Sequence, residues 1–506
     1  MFSTNFGASV LGLEAFLINV EVDTISSQLP SLTIVGLADK SVQEAKERIV
    51  SAIKNSELEW PRKKIVVNLA PADFPKIGTA FDLPIAVGIL MSEGIINVEG
   101  KKYLFAGELA LNGEVRKTSG VLPIAIRAKE EKFDGIFVPK ENASEAALVE
   151  GLTVYGIESL VKLVNHLNGK NILEKEIQNL NDLENDFSYE IDFANIYGQP
   201  TLKRSALIAA AGGHNILFIG SPGSGKTMIS RAIPSILPEM TFNEALEVTK
   251  IYSVANMLPK DKILLTKRPF RSPHHTASTT SIVGGGKFPR PGEVTLAHRG
   301  VLFLDEFPEF SQNTLEALRQ PIEDKKVSIT RVSGSISFPS SFMLVAAMNP
   351  CKCGWLGDKD RACNCTPIVI DKYRRKISGP IMDRIDLQIR VNRVNLRDLN
   401  STGLNKEENS ESMKKKVDKC RRIQLERYKD LGIYSNAELP QKNIEELVSI
   451  DEDARQILIN ASEKLQLSAR SFYRLMKVAR TIADLEESES VKKEHIAESL
   501  QYRIKD

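Results

Sequence analysis

An eight-residue glycine-rich segment near the middle of the chain has the residue types and spacing of a phosphate-binding loop. An apolar strand-like run, His214 to Gly220, leads into it, and a helical pattern from Met228 to Leu237 follows. Glycines let backbone N–H groups point at a phosphate, and the helix adds its positive N-terminal end. A chance match of eight residues is the alternative, and the flanking strand and helix argue against it. The loop reads Gly220, Ser221, Pro222, Gly223, Ser224, Gly225, Lys226, Thr227.

The last two residues of this loop carry the most specific chemistry. In loops of this type the lysine contacts the β- and γ-phosphates of a nucleoside triphosphate, and the hydroxyl ligates Mg²⁺. We therefore expect ATP and Mg²⁺ as cofactors, with Lys226 on the phosphates and Thr227 on the metal.

Two acids end a second strand-like run, Gly300 to Leu304, about eighty residues further along the chain. Asp305 is expected to hold Mg²⁺ through its coordination shell, and Glu306 to orient and deprotonate the attacking water. A lone Asp-Glu pair after a strand is commonly only an acidic helix cap. The matching phosphate loop upstream makes that alternative improbable here.

Three polar residues further on are candidates for sensing the nucleotide. Asn349 ends the next strand-like run and is the sensor candidate for the γ-phosphate, with a turn-forming Asn-Pro as the alternative. Arg384 opens the last core strand, where it is a candidate arginine finger for a neighbouring subunit; an Asp-Arg salt bridge is the competing interpretation. Arg470 begins a helix near the C-terminus and is the candidate second sensor over the nucleotide, preferred to Arg474 one turn on.

Four of the five cysteines lie within fifteen residues, spaced as two Cys-x-Cys pairs. Four thiolates can form a closed tetrahedral zinc site, whose role would be structural because no open position remains for catalysis. Cys-x-Cys is less usual than Cys-x-x-Cys, and reduced cysteines without metal are an equal alternative. The candidate Zn²⁺ ligands are Cys351, Cys353, Cys363 and Cys365.

The pattern of apolar runs divides the chain into four parts. Residues 1–168 mix strand-like and helical patterns, which predicts an α+β domain, and the polar stretch 169–190 is the predicted linker. In residues 191–395 short apolar strands alternate with helices, which indicates an α/β core with a parallel sheet covered on both faces. Residues 396–506 contain only helix-period sequence after a polar segment, which predicts an all-helical lid.

The motifs together resemble the YifB/ComM family of magnesium-chelatase-like AAA+ ATPases over essentially the whole chain. The resemblance rests on the phosphate loop with the Ala-Ala-Ala-Gly-Gly-His run before it, Ser272-Pro-His-His275, Pro291-Gly-Glu293, Asn349-Pro-Cys351 and Ala469-Arg470. It implies an AAA+ core, a ring that is most often a hexamer, and ATP bound between subunits. One branch of the family is similar to a branch-migration helicase that acts on DNA during natural transformation.

The N-terminal part contains Lys76-Ile-Gly78-Thr-Ala80, Gly113-Glu-Val115, Leu122-Pro123 and Val138-Pro-Lys140-Glu-Asn142. With these segments it resembles a truncated form of the proteolytic domain of Lon. Lon needs a Ser-Lys dyad, in which a desolvated amine activates the hydroxyl. Here the serine position holds Ala80 and the lysine position holds Ala128, with Lys129 one step away. The domain is therefore expected to be a non-proteolytic module for assembly or for binding DNA or protein.

Composition narrows the location and the class of partner. The formal net charge is +2, so any contact with nucleic acid must come from a local basic surface. No apolar run is long enough to span a bilayer and the start lacks a basic secretory pattern, so we expect a cytoplasmic protein without membrane contact.

Two segments are candidates for binding single-stranded or branched DNA. The insertion from Lys267 to Arg299 is basic and glycine-rich, with a loop packing on the neighbouring subunit as the alternative. The hairpin-like stretch after Lys325 offers Lys326 and Arg331. A DNA helicase or translocase is thus the favoured function. The alternative is a chelatase-like or protein-remodelling motor acting with a partner subunit, and a Lon-like protease is disfavoured by Ala80.

Overall fold

A computed structural model describes residues 1–37, 39–72, 75–98, 100–177, 189–259, 262–286, 289–331, 334–358, 360–393 and 409–503. The chain divides into two compact units. The first comprises residues 1–184 together with 242–265, and the second residues 185–241 together with 266–506. Most of the second half of the predicted linker and most of the polar segment after residue 395 lie outside the described residues.

The β-strands are named here in chain order. They are β1 (Phe2–Leu11), β2 (Glu14–Ile25), β3 (Ser31–Val35), β4 (Lys64–Ala70), β5 (Tyr103–Phe105), β6 (Glu108–Leu109), β7 (Val115–Arg116), β8 (Gly135–Pro139), β9 (Val154–Ile157), β10 (Ile216–Gly220), β11 (Phe270–Arg271), β12 (Gly284–Gly285), β13 (Arg290–Pro291), β14 (Val301–Leu304), β15 (Lys326–Arg331), β16 (Gly334–Pro339), β17 (Met343–Met348) and β18 (Leu387–Val391).

The α-helices are named in the same way. They are α1 (Lys40–Asn55), α2 (Asp82–Ser92), α3 (Val121–Glu130), α4 (Lys140–Ala146), α5 (Leu160–Leu167), α6 (Pro200–Gly212), α7 (Lys226–Ala232), α8 (Phe242–Val254), α9 (Thr279–Val283), α10 (Glu293–Leu296), α11 (Gln312–Ala317), α12 (Arg319–Asp324), α13 (Pro367–Arg374), α14 (Gly379–Met382), α15 (Ser410–Tyr428), α16 (Gln441–Leu447), α17 (Glu452–Lys464), α18 (Ala469–Leu485) and α19 (Lys493–Gln501).

The first unit is built on a seven-stranded sheet in the order β3-β4-β2-β1-β5-β8-β9. The pairs β1–β2 and β2–β4 are antiparallel, and the remaining pairs are parallel. Helix α2 is buried along nearly its whole length and packs on β1 and β2. Its continuous apolar sequence follows from this burial, because a helix covered on all sides has no polar face.

Helix α8 belongs to the first unit although it follows the phosphate loop in sequence. It packs on α3, and the backbone N–H of Gly120 donates to the carbonyl of Ser253 at 3.2 Å. The segment 242–265 thus leaves the second unit in the middle of its fold. No sequence signal had marked this excursion.

The second unit contains a five-stranded, entirely parallel sheet in the order β11-β14-β17-β10-β18. Successive side chains of β17 enter opposite apolar cores: Val345 lies in one core and Leu344 in the other. A strand buried on both faces has no polar alternation, which is why the interior strands β10, β14 and β17 appear in the sequence as unbroken apolar runs. The predicted α/β core with a covered parallel sheet is confirmed.

The region after the sheet is helical in its described residues, as predicted for a lid. Local sequence fixes where its helices begin. The side chain of Asn409 accepts a hydrogen bond from the backbone N–H of Ser412 at the start of α15, and Ser468 accepts from Ser471 at the start of α18. Among the described residues, none of the helices combines the length and the apolar character needed to cross a membrane.

Candidate nucleotide site

The phosphate loop lies between β10, an interior strand of the parallel sheet, and helix α7. Strand β10 pairs with β17 on one side and β18 on the other, so the loop emerges in the middle of the sheet. The residue just before the helix, Gly225, has φ of 91°, a left-handed conformation that a side chain would strain. This turn exposes the first backbone N–H groups of α7, which have no partner within the helix and suit an anion.

Lys226 is the first residue of α7 and lies across the loop. Its Nζ donates to the carbonyl oxygens of Gly220 at 2.7 Å and Ser221 at 2.9 Å. Only 8% of the residue is exposed. Burial lowers the pKa of Lys226, and the nearby charge of Asp305 opposes that shift. The predicted lysine is therefore held at the loop, where a bound phosphate would replace neutral carbonyl acceptors with anionic oxygens.

The predicted magnesium ligands are adjacent. The hydroxyl of Thr227 donates to Oδ2 of Asp305 at 2.9 Å, so two hard oxygen donors meet beside the loop. This donor set fits Mg²⁺, which prefers carboxylate and hydroxyl oxygens together with water and phosphate.

Glu306 follows the magnesium ligand in a left-handed conformation with φ of 50°. Its backbone N–H donates to Oδ1 of Asp305 at 2.9 Å, which stabilises the turn. Its carboxylate Oε2 lies 3.0 Å from Nδ1 of His275, and its side chain is 58% exposed. Left-handed backbone at a residue with a side chain stores about 1 kcal/mol or more of strain and is often found at functional positions.

Asn349 is brought to the same place by the neighbouring strand. Strand β17 ends at Met348, next to β10 in the sheet, and Oδ1 of Asn349 accepts a hydrogen bond of 3.3 Å from Nζ of Lys226. The sensor candidate thus contacts the phosphate-binding lysine directly.

Arg384 and Arg470 share one carboxylate elsewhere in the unit. Arg384 Nη2 forms an ion pair with Glu323, whose other oxygen lies 2.6 Å from Nη2 of Arg470. Arg384 is only 6% exposed, and burial together with the charge of Arg470 lowers its pKa. Neither arginine is among the described residues that line the cleft at the phosphate loop.

Arg474, the less favoured second-sensor candidate, is engaged in structural contacts. Its Nη1 donates to the backbone carbonyl of Arg384 at 2.8 Å and lies 2.7 Å from Oδ1 of Asp386. Burial acts to raise the pKa of Asp386, but the charge of Arg474 helps to hold that pKa below its usual range. Arg474 therefore stabilises the backbone just before β18.

A cleft of about 1890 Å³ surrounds the phosphate loop. Ile196 and Tyr197 line it on the N-terminal side, and Leu465 and Leu467 of the helical region line it too. The phosphate loop also contacts the segment that holds Ile196 and Tyr197, because Nε2 of Gln199 donates to the carbonyl of Ser224 at 3.2 Å. Apolar side chains near a phosphate loop suit the flat face of a nucleobase.

Several residues at this site were not singled out by sequence reasoning. His275 was noted only as part of a motif, although a pair of histidines ahead of the acid-bearing strand was an available signal. Asp358 and Arg393, which line the cleft, lie far from the loop in sequence and have ordinary neighbours, and the same holds for Glu323, which pairs with Arg384 and Arg470 outside the cleft. Only the folded chain reveals their contacts.

The four clustered cysteines converge in space. Their Sγ atoms all lie within 4.8 Å of one another, and three of the pairs are 3.4–3.6 Å apart. No disulfide links them. A backbone hydrogen bond from Trp355 is the largest of the effects that lower the pKa of Cys353 to about 6.

The basic insertion ahead of β14 is largely engaged in contacts within the chain. Arg271 forms a two-pronged ion pair with Glu293 at 2.6 and 2.9 Å. Arg268 donates to the carbonyl of Pro238 at 2.6 Å, and Arg299 lies over the ring of Tyr434 at 4.4 Å. These arginines have structural roles, so the insertion offers less free positive charge than its composition indicates. Lys287 lies outside the described residues.

Two short hairpins remain exposed. Strands β12 and β13 form one, and β15 and β16 form the other; a side chain added at Gly284 of the first would lie 3.5 Å from Ile329 of the second. Arg290 and Lys326 are exposed. The backbone of Arg331 ends β15, and its side chain lies outside what the structure describes.

A phosphate loop after the interior strand β10, an acid pair after β14, which lies two strands away across β17 in the same parallel sheet, and a helical region lining the cleft together define a P-loop protein of the AAA+ class. Comparison with known proteins then specifies the family. Three family models of the magnesium chelatase subunit ChlI match the chain: "Subunit ChlI of Mg-chelatase" over residues 20–142, "Magnesium chelatase, subunit ChlI" over 192–399 and the ChlI C-terminal model over 407–503.

Individual relatives cover nearly the whole chain. Competence protein ComM of Haemophilus influenzae is 41% identical over 503 residues, 98% of this chain and 96% of the relative. The uncharacterized protein YifB of Escherichia coli is 41% identical over 500 residues, with the same coverage. The magnesium-chelatase 38 kDa subunit of Rhodobacter capsulatus is 27% identical over 225 residues, 41% of this chain and 60% of the relative. The chain therefore belongs to the YifB/ComM family of magnesium-chelatase-like AAA+ proteins.

Proposed function

We propose that the protein hydrolyses ATP to ADP and phosphate. The observation that supports this most is a pair of hydrogen bonds at the phosphate loop. Lys226 contacts Asn349, and Thr227 contacts Asp305. Thr227 and Asp305 would hold Mg²⁺, which neutralises charge on the phosphates when bound. Lys226 binds the β- and γ-phosphates, Asn349 positions the γ-phosphate, and Glu306 accepts the proton of the attacking water.

A neighbouring subunit is proposed to complete the site, in a ring of six. In support, Arg384 and Arg470 are held together by Glu323 and are not part of the cleft lining in the described chain. Two guanidinium groups on one carboxylate carry a net positive charge that suits the γ-phosphate of another subunit's ATP. In this arrangement Arg384 is the arginine finger, and Arg470 is a second sensor that acts across the interface.

DNA is proposed as the partner on which the ring does work, as a helicase or branch-migrating translocase. The two hairpins, with exposed Arg290 and Lys326, support this. Among the described side chains of β15, Lys326, Ser328 and Thr330 are exposed, and all three can donate to phosphate oxygens. The similarity to a protein named for competence points in the same direction.

The test is the ATPase rate with and without single-stranded or forked DNA, over a range of salt concentrations. Stimulation by DNA that weakens with salt is expected, because phosphate contacts release counterions. No stimulation, together with no DNA binding at low salt, would refute the DNA proposal and leave ATP hydrolysis standing.

The second candidate is a chelatase-like or protein-remodelling motor acting with a partner subunit. Similarity to the magnesium-chelatase 38 kDa subunit favours it. It is favoured over the first if DNA has no effect and ATPase activity rises only with another protein. Whichever partner is driven, the first unit is proposed to be a non-proteolytic module, because Ala80 carries no hydroxyl to act as a nucleophile.

The four-cysteine cluster is proposed to hold one structural zinc ion. The three Sγ separations among Cys351, Cys353 and Cys363 are 3.4–3.6 Å, close to the roughly 3.8 Å edge of a tetrahedron with Zn–S bonds of about 2.3 Å. Reduced cysteines that bind zinc, and ATP as substrate, fit a cytoplasmic location.

A further inference from the structure

The cysteine-bearing loop, residues 351–365, is irregular but well packed against its surroundings. None of its described residues lies in a helix or strand. Cys351, Gly354 and the side chain of Asp358 are buried, and the other described residues of the loop are half-buried or exposed. A segment of this kind has no sheet or helix hydrogen bonds and little apolar area to fix its shape. The thiol cluster is therefore its internal core, as in small metal-stabilised folds.

The cluster suits a single ion. All four Sγ atoms lie within 4.8 Å of one another, which leaves room for one metal between them. An iron–sulfur cluster needs thiolates spread around several metal atoms, so the compact arrangement favours mononuclear Zn²⁺. The backbone N–H of Cys365 donates to the Sγ of Cys363 at 3.4 Å, as the outer shell of a thiolate–metal site does.

The same loop lies directly against the phosphate loop. The backbone of Gly354 is so close to Pro222 that an added Cβ would be 2.7 Å from Cδ of the proline ring. The side chain of Ser221 lies close enough to the carboxylate of Asp358 to lower the pKa of that carboxyl. Both contacts join the cysteine loop to the first residues of the phosphate loop, and Leu356, Gly357 and Asp358 line the nucleotide cleft.

Arg393, two residues after β18, contacts both loops. Its Nη2 donates to the carbonyl of Pro222 at 3.0 Å, and its guanidinium lies 4.7 Å from the ring centre of Trp355. Arg361 lies 4.6 Å from the same ring. The indole is thus contacted by one arginine of the cysteine loop and by one that contacts the phosphate loop.

We infer that zinc in this cluster fixes the cysteine loop as a wall of the nucleotide cleft, so that metal loading sets the affinity for ATP. Without the metal, the loop loses its core, and Gly354, Asp358 and Trp355 no longer support Pro222 and Ser221. The phosphate loop would then have to be ordered by the nucleotide itself, which weakens binding. This inference rests on the proposed ATP site.

The test compares full-length variants for zinc content, by elemental mass spectrometry, and for affinity toward a fluorescent ATP analogue with Mg²⁺. Wild type and the control Cys420→Ala, which removes the thiol outside the cluster, should carry one zinc per chain and bind alike. The double variant Cys353→Ser/Cys365→Ser should lack zinc and bind the analogue at least about tenfold more weakly.

Two further arms separate coupling from misfolding. Wild type stripped with a zinc-selective chelator and desalted should lose affinity about tenfold and regain it when Zn²⁺ alone is added back. Gly354→Ala should keep its zinc but bind the analogue several-fold more weakly, because the methyl group displaces Pro222.

Unchanged affinity in stripped wild type would overturn the coupling while leaving the proposed ATPase intact. Wild type that neither carries nor takes up zinc would overturn the metal assignment. Zinc-loaded wild type that does not bind the analogue would refute the ATP site, and the inference with it.

Discussion

Arg384→Ala should abolish ATP turnover in the assembled protein. We expect this loss because the guanidinium of Arg384 acts on the ATP that is bound to the neighbouring subunit. An arginine finger accounts for about 10³-fold or more in rate, which corresponds to about 4 kcal/mol of transition-state stabilisation. We therefore expect kcat to fall at least about 1,000-fold while the affinity for ATP stays within a few-fold of wild type.

The structure indicates that this loss would not arise from unfolding. Glu323 keeps Arg470 as a partner at 2.6 Å when Arg384 is removed, so no carboxylate is left without a counter-ion. The carbonyl of Pro380 loses a donor at 2.6 Å, which costs about 1–3 kcal/mol if that oxygen remains buried. A thermal-shift measurement should show a modest decrease, and Arg422→Ala on the exposed side of α15 serves as the control for loss of a guanidinium.

A mixing assay tests whether Arg384 acts across the interface. Lys226→Ala lacks phosphate binding but retains the finger, and Arg384→Ala has the opposite defect. In a ring assembled at random from equal amounts, half the phosphate loops are intact and half of those face an intact finger. About one quarter of the wild-type rate should therefore return from two inactive variants, if sites work independently.

Two results would contradict the assignment of Arg384 as a finger for the neighbouring subunit. If Arg384 acts on its own subunit's ATP, every subunit in the mixture remains defective and no activity returns. If Arg384→Ala alone hydrolyses ATP at the wild-type rate in the assembled ring, the finger assignment is wrong. Sizing by light scattering must show that both variants still assemble, since unassembled chains would also give no recovery.

Four further substitutions test individual roles. Lys226→Ala should lose ATP binding, measured by equilibrium titration, because its ammonium is the contact to the phosphates; tight binding would contradict this. Glu306→Gln should bind ATP normally and lower kcat at least about 100-fold, with ATP retained unhydrolysed on the protein; normal turnover would remove Glu306 as the base. His275→Ala should lower kcat about tenfold without changing ATP affinity, since its Nδ1 lies 3.0 Å from the carboxylate of Glu306, and His275→Gln should restore part of it; an unchanged kcat would show that the contact is incidental. Lys326→Ala should weaken DNA binding equally for different sequences and reduce its salt dependence by about one phosphate contact; unchanged binding would exclude this hairpin.

The cysteine spacing left two interpretations open from the sequence, and the structure bears on them differently. Two Cys-x-Cys pairs nine residues apart could have pointed away from each other. The fold brings all four Sγ atoms within 4.8 Å, which is compatible with zinc. For the basic insertion the structure weakens the expectation. Arginines that the sequence suggested were free to bind DNA form internal ion pairs, such as that of Arg271 with Glu293.

The sequence by itself determined the α/β core and the phosphate loop. Interior strands of a parallel sheet covered on both faces are apolar, and the strand-like runs His214 to Gly220 and Gly300 to Leu304 match β10 and β14 to within two residues. The phosphate loop was equally clear, because its chemistry depends on backbone N–H groups and on residues adjacent in sequence. Such local requirements leave a local pattern.

Only the tertiary structure decided which distant residues meet. The ion pairs of Arg384 and Arg470 with Glu323, the contact of His275 with Glu306 and the packing of Gly354 on Pro222 join residues separated by tens to more than a hundred positions. A salt bridge or a van der Waals contact constrains neither partner's sequence neighbours, so it leaves no periodicity or spacing to detect. The excursion of residues 242–265 into the first unit was undetectable for the same reason, since an amphipathic helix fits either core.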